Sequence, residues 1–283
     1  MFLSIIIPVY NTSKIFLDEC LESLNHIPSI PHEIIIVNDG SKEVETLNYL
    51  KSIEKKYQLI HKENGGLGSA RNTGIKEAKG KYIFPLDSDD VLNEDFKIFI
   101  EYLNKNEQVD ILYGDLHHFG DEDLIKKYPE YDKLTLLFYK NIIQACSFFK
   151  KEAWEKVGGY DESLKTFEDY DFWIKCGIND LKFKHIPYCA YRYRFIDNGK
   201  SLFQRTSGIH EEYFKLIRNK IPKGLIKVFD IHNYSKHNVK EYFENKKREK
   251  KGIKGKLIYI KSIFRIIKRL VKIRYFSLGR IRI

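Results

Sequence analysis

Three carboxylates close an apolar run in Ile83-Phe84-Pro85-Leu86-Asp87-Ser88-Asp89-Asp90. Acids this close repel one another unless a cation joins them. Hard divalent ions take oxygen ligands and keep positions open for substrate phosphates. At the carboxyl end of a strand in an open α/β sheet, these acids would stand where such sheets bind ligands. The chemistry suggested is metal-dependent handling of a phosphorylated donor; the plain alternative is a solvated acidic turn capping a helix that starts near Asn93. A second cluster, Phe167-Glu168-Asp169-Tyr170-Asp171-Phe172-Trp173, sets acids among aromatics. Desolvation against apolar walls raises a carboxyl pKa and readies it as a general base, although acids also favour the first turn of any helix through its dipole. On a helix, Tyr170 and Trp173 face inward together, while Asp169 shares another face with Phe172. Between the clusters, Asn64-Gly65-Gly66-Leu67-Gly68-Ser69-Ala70-Arg71-Asn72 lacks both the GK[ST] ending of a P-loop and GxGxxG spacing. Its glycines still let backbone approach a ligand at a helix N-terminus, and Arg71, one turn in, is placed to meet a diphosphate or steady an acidic cluster.

The elements that must position these residues alternate. Residues 3 to 9 form an apolar, β-branched run that reads as a buried parallel strand, and 13 to 26 suit a helix capped by Ser13 or Thr12. A second strand (33 to 37) stops at Asn38-Asp39-Gly40-Ser41. A helix (43 to 56), a short strand (58 to 61), the glycine loop with its helix (69 to 78) and a strand (82 to 86) follow. Three strand–helix alternations in 90 residues predict a doubly wound α/β sheet, with Tyr10-Asn11, Asn38-Asp39-Gly40 and Asp87 to Asp90 at its strand ends. Beyond a helix at 95 to 104 and a strand at 110 to 115 the pattern breaks into a polar loop and short mixed elements. Tyr191-Arg192-Tyr193-Arg194 then alternates on a predicted strand, with Lys200 and Ser201 ending the loop behind it, and residues 206 to 245 read as helices and loops.

Taken together, these segments resemble the family-2 glycosyltransferases of the GT-A fold. The resemblance is carried, in order, by Ser4 to Asn11, Glu33 to Ser41, Asn64 to Asn72, Asp87-Ser88-Asp89 in the manner of a DxD motif, and Val157-Gly158-Gly159-Tyr160-Asp161 followed by Glu168-Asp169. It covers about residues 1 to 205 and implies one domain in two halves. The nucleotide-sugar half would span 1 to 100, and the acceptor and catalytic half 101 to 205. Pro8, Tyr10 and Asn11 would line the nucleoside pocket, and Asp39 would accept from the base. Gly66 and Ser88 would stand on the donor side, and Arg71 would hold the acidic turn and the nucleotide. Asp87 and Asp89 would hold a Mn or Mg ion, Asp169 would deprotonate the acceptor with Glu168 beside it, and Gly159 and Trp173 would face the acceptor. Where many relatives carry a late histidine this chain has Arg194; charged Arg cannot ligate a metal, so a phosphate contact is the expectation there. The implied reaction is inverting transfer from a nucleotide diphosphate sugar, UDP first among them, to a glycan or lipid-linked acceptor in bacterial surface-polysaccharide synthesis. The alternative is a non-catalytic nucleotide-sugar-binding assembly partner.

The 283 residues carry a formal charge of +10, unevenly distributed. From Lys246 onward there are 15 basic residues and one acid, a net of +14 that leaves the body at −4. Within this tail Ile260, Ile263, Phe264, Ile267, Leu270 and Val271 share one helical face, and Lys261, Arg265, Lys268 and Lys272 the opposite one. That is the pattern of an in-plane amphipathic helix on an anionic membrane surface, the alternative being a helix packed on the domain. No reader of bases accompanies the charge, so nucleic acid is not an expected partner. The opening residues lack a basic n-region, and the four scattered cysteines form no CxxC pair. The expectation is a cytoplasmic protein, peripheral on the inner face of the membrane, with a homodimer through 206 to 245 as a further possibility.

Overall fold

Every residue of the first strand, β1 (Leu3–Val9), is buried, so both of its faces are covered as in a parallel sheet between helices. The structure, a computed structural model, describes residues 1–196, 208 and 210–226. Ser13 caps the next helix, α1 (Lys14–Ser23), by accepting from the Phe16 N–H. β2 (His32–Asp39), α2 (Val44–Ile53), β3 (Gln58–Lys62), α3 (Leu67–Glu77) and β4 (Tyr82–Pro85) continue the predicted alternation. β4, β1, β2 and β3 lie side by side in that order and run parallel, with Ile6 opposite both Ile35 and Pro85. The chain thus builds outward from β1 through β2 to β3, then returns to the other side of β1 for β4. That reversal is a topological switch point, and ligands of open α/β sheets bind in the crevice above it. Tyr10-Asn11 and the acidic turn flank this crevice, with the ends of β2 and β3 next to it.

The remaining elements are β5 (Val91–Leu92), α4 (Phe96–Lys105), β6 (Ile111–Tyr113), β7 (Leu116–Gly120), β8 (Leu124–Lys126), α5 (Lys133–Phe138), β9 (Phe148–Lys150), α6 (Lys151–Val157), α7 (Glu168–Ile178), β10 (Phe183–His185), β11 (Tyr191–Phe195) and α8 (His210–Asn219). The main sheet extends to seven strands in the order β10-β6-β9-β4-β1-β2-β3. β9 is antiparallel to both neighbours, so the sheet is mixed. β5, β11, β7 and β8 make a second, four-stranded sheet, of which the sequence reading marked β11 alone as a strand. The other three are two to five residues long and β8 is wholly exposed, so no alternation betrays them.

Two aromatic cores meet at β9 because successive strand residues point to opposite faces. Phe148 packs with Phe84, Phe96 and Phe99 at ring separations of 4.5, 5.0 and 5.6 Å, beneath the strand that carries the acidic turn. Phe149 packs instead with Phe172 and Trp173 of α7, at 5.0 and 6.0 Å. One pair of adjacent residues therefore ties both acidic segments to the same sheet.

These elements belong to one compact unit, Met1–Pro222, and Lys223 begins a second. α8 is docked in the first unit. Ile217 and Ile221 are buried, and Phe214 lies 4.6 Å from the ring of Phe167 and 5.8 Å from that of Tyr170. Lys220 donates to Asp161 at 2.5 Å and to wholly buried Asp171 at 2.6 Å. No helix among the described residues is long and apolar enough to cross a membrane. The basic tail, Lys200 and Ser201 lie outside the described residues.

Candidate active site

On the β2 side, Asp39 is 3 % exposed, and its carboxylate is held from several directions. Lys62 and the Gly65 N–H donate to Oδ1 at 2.7 and 3.0 Å, and the Gly66 N–H donates to Oδ2 at 2.8 Å. Gly66 adopts φ 86°, a conformation side chains resist, and this aims its N–H at Asp39 just before α3 begins. Asn64 adds a bond to the Asp39 carbonyl at 2.9 Å. The glycine loop thus serves as a rest for Asp39. Pro8 is buried in β1, opposite Val37, and beyond it Tyr10 stands open at the strand end. Asn11, at φ 52°, accepts the N–H groups of Lys42 and Glu43 on Oδ1 at 2.7 and 3.1 Å, so that oxygen knits two strand ends together.

The acidic turn follows β4 directly. Ser88 shares a 2.7 Å hydroxyl bond with Thr12 and so ties the turn to the β1 loop. Asp89 is exposed, yet desolvation by the surrounding turn, reinforced by the charge of Asp87, pushes its carboxyl up to about 6. Asp90, absent from the sequence-derived site, is 1 % exposed. Its Oδ1 accepts the Arg194 N–H at 2.8 Å, and its Oδ2 is buried without a partner. Burial raises its carboxyl well above the usual range, and Asp89 and Asp87 add to the rise. Among the described residues one group has metal-ligand spacing: Asp87, Asp90 and Cys146, whose ligand atoms all lie within 4.8 Å of one another. The expected pair was Asp87 with Asp89. The orphaned Asp90 oxygen beside Asp87 fits a hard cation with oxygen ligands. The Cys146 thiol fits poorly, because burial first, then Asp87 and Asp90, hold it protonated.

Arg194 departs from expectation. Its Nε donates to the Asp89 carbonyl at 2.8 Å, it pairs with Glu19, and its guanidinium lies 4.4 Å from the rings of both Phe16 and Phe119. Sandwiched in this way, it braces the acidic turn from behind and is not aimed at a phosphate. Arg71 holds the acidic turn as expected, and it is fully buried. One arm of its fork donates to Asp87 Oδ1 and the other to Glu168 Oε1, both at 2.7 Å. Its two partners lie on different acidic segments, so one cation joins the turn after β4 to the start of α7.

That contact separates the two acids of α7. Glu168 is 4 % exposed, is paired with Arg71 and packs on α3. Asp169 keeps partial access to solvent and accepts from Asn141 Nδ2 on Oδ2 at 3.0 Å. Desolvation, then the charge of Glu168, push its carboxyl up to about 7, against the pull of Arg71, the Tyr170 N–H and Asn141. The residue before the helix, Phe167, holds a left-handed φ of 62°, an unusual state for a bulky side chain.

Two acceptor-side expectations are corrected. Trp173 is wholly buried among Phe149 and Phe172, since helical periodicity turns it inward with Tyr170, so it walls no open site. Gly159 is buried too: a Cβ there, at φ 70°, would stand 2.8 Å from Asn72 Oδ1 and 2.9 Å from the Trp154 ring. Its task is that close approach. Asn72 explains it by accepting the Tyr160 and Trp154 N–H groups at 2.9 and 3.0 Å and donating to the Tyr160 carbonyl at 2.9 Å. Asn141 and Cys146 were missed altogether, for nothing local marks them; Asp90 was at least part of the acidic motif.

Residues 4–160 match the family model described as glycosyl transferase family 2. An uncharacterized glycosyltransferase of Rickettsia prowazekii is 36 % identical over 195 residues, covering 64 % of this chain and 61 % of that protein. Chondroitin synthase of Pasteurella multocida is 31 % identical over 198 residues, covering 66 % of this chain and 20 % of that protein. Among solved structures, S. aureus TarS 1–349 in complex with UDP-GlcNAc superposes with a TM-score of 0.58 at 23 % identity, over 70 % of this chain and 60 % of that one. This chain therefore spans less than two thirds of the length of each of these three proteins. The likeness to TarS shows the fold, a mixed α/β architecture of the GT-A type. With more than half its length matched by the family model, the chain belongs to glycosyl transferase family 2.

Proposed function

We propose that this glycosyltransferase moves a sugar from a UDP-sugar to a glycan or lipid-linked acceptor in a single displacement with inversion, as in the building of a bacterial surface glycan. The observation that carries this reading is Asp169: a carboxylate at a helix start, partly open to solvent, pushed up to about 7 and tied through Glu168 and Arg71 to the acidic turn at the switch-point crevice. A base with a pKa near ambient pH both exists in its ionised form and takes a proton readily. Asp169 removes the proton as the acceptor oxygen attacks the anomeric carbon, and the nucleotide diphosphate leaves on the opposite side. Asp39, with its rest of backbone N–H groups, faces the nucleobase, and Tyr10 stands at the nucleoside rim. Asp87 and Asp90, with Asp89 exposed beside them, would hold a divalent Mn or Mg ion, which when bound neutralises charge on the departing diphosphate. That a neighbour of the same fold was crystallised with UDP-GlcNAc supports a UDP-linked donor.

The test is a panel of nucleotide sugars screened for thermal stabilisation and turnover with and without Mn, on wild type and Asp169→Asn. A UDP-sugar is expected to stabilise both proteins alike, with turnover by the variant lower by roughly 100-fold or more, the range for lost acid–base catalysis. Turnover by Asp169→Asn near the wild-type rate would remove Asp169 from the role of base.

A further inference from the structure

We infer that Asn141 is a positioning residue for the transfer step: its amide pins Oδ2 of Asp169 so that Oδ1 is the oxygen presented to the acceptor hydroxyl. This inference rests on Asp169 being the base. Asn141 lies 28 residues before Asp169, in the segment between α5 and β9. Its amide orientation is settled by its own partners. The Ile143 N–H donates to Asn141 Oδ1 at 3.1 Å, so the opposite end of the amide is the donor that reaches Asp169 at 3.0 Å. The segment is itself anchored. Ile142 and Ile143 are each 1 % exposed, and buried Gln144 donates to the Gly114 carbonyl while its own carbonyl accepts from Ser147 at 2.9 Å. A surface amide on such a footing is already ordered before substrate arrives, so little freedom is lost when it acts.

Other groups reach Asp169, but none does this work. Glu168 on α7 and Arg71 on α3 act on it through charge while bonded to each other. Tyr128, beyond β8, and Tyr160, beyond α6, feel its charge, and burial holds both phenols protonated. Among the described residues, Asn141 is the one side chain that bonds a carboxylate oxygen of Asp169. A neutral amide donor also favours the ionised carboxylate without competing for the proton it is to receive.

The experiment measures kcat/KM against pH with a UDP-sugar for wild type, Asn141→Leu, Asn141→Asp and Asp169→Asn. Each protein is also checked for donor binding and melting temperature, and Asn141→Ser stands in if the leucine variant fails to fold. Loss of one hydrogen bond to a charged acceptor should move the acidic limb of Asn141→Leu alkaline by about 1 to 2 pH units. Asn141→Asp, which sets a like charge beside the base, should move it further. Donor binding should be unchanged. A lower rate with the limb unmoved in both variants overturns the inference while leaving the base reading intact. An active Asp169→Asn overturns the base reading itself.

Discussion

Replacing Arg71 by Met is the perturbation whose consequences follow most directly from the structure. The methionine fills much the same volume but removes a cation that holds two carboxylates at 2.7 Å each. Removing one partner from a buried ion pair costs about 3–5 kcal/mol, because the other charge is left stranded. The two partners differ here. The Asp87 side chain is 26 % exposed and can rehydrate in part, whereas that of Glu168 is 5 % exposed and cannot. That argues for the lower end, about 3 kcal/mol, or a fall of roughly 6–12 °C in melting temperature for a unit of this size. Thermal and urea unfolding of Arg71→Met, Glu168→Gln and the double variant would test it. The double variant should recover at least about 1 kcal/mol relative to the sum of the singles, since the stranded acid is gone. Arg71→Lys should rescue little, as an ammonium cannot span two carboxylates in the planar fork that Arg uses. The same loss should also slow transfer at neutral pH, because Arg71 is one of the groups holding Asp169 down. A melting temperature within about 2 °C of wild type, or strict additivity in the double variant, would refute the bridge as the structural link between the two acidic segments.

The raised carboxyl of Asp169, near 7, predicts an acidic limb in kcat/KM centred close to pH 7, with a tenfold loss per unit below it. A flat profile from pH 5.5 to 8 would contradict the assignment. The same shift makes a stability statement. A carboxyl that holds its proton up to about 7 when folded, but releases it near 4 when unfolded, adds stability at low pH that is lost as pH rises across that window. Asp169→Asn should therefore melt above wild type at pH 8 and no higher at pH 4. Lys220→Ala removes one cation from buried Asp171, leaving Lys175 at 3.2 Å, and should cost about 2 kcal/mol by urea unfolding. A cost below about 0.5 kcal/mol would mean that α8 is held by Phe214, Ile217 and Ile221 alone.

Much of this molecule is legible along the chain because its signals are local. The β-branched run Ser4 to Pro8, the cap at Ser13 and the glycines before α3 each specify their element with neighbours a few residues away. The acidic turn follows a strand because the chain runs out of apolar residues there. Periodicity alone turned Tyr170 and Trp173 inward, and both are fully buried. It was the family analogy that moved Trp173 to the sugar wall, and its burial reverses that. β5, β7 and β8 of the second sheet left no such trace, having too few residues to alternate.

What the sequence by itself determined is the order of strands and helices through β4, and with it which loops meet over the switch point between β1 and β4. What only the tertiary structure decided is the division of labour among the charged residues there. Arg71 reaches Glu168 across 97 positions, Arg194 reaches Glu19 across 175, and Asn141 reaches Asp169 across 28. A local pattern says that a residue is charged and where its element begins. It cannot say whether that charge keeps access to solvent, as that of Asp169 does, or meets another buried charge, as that of Glu168 does, because that depends on which distant segment packs against it.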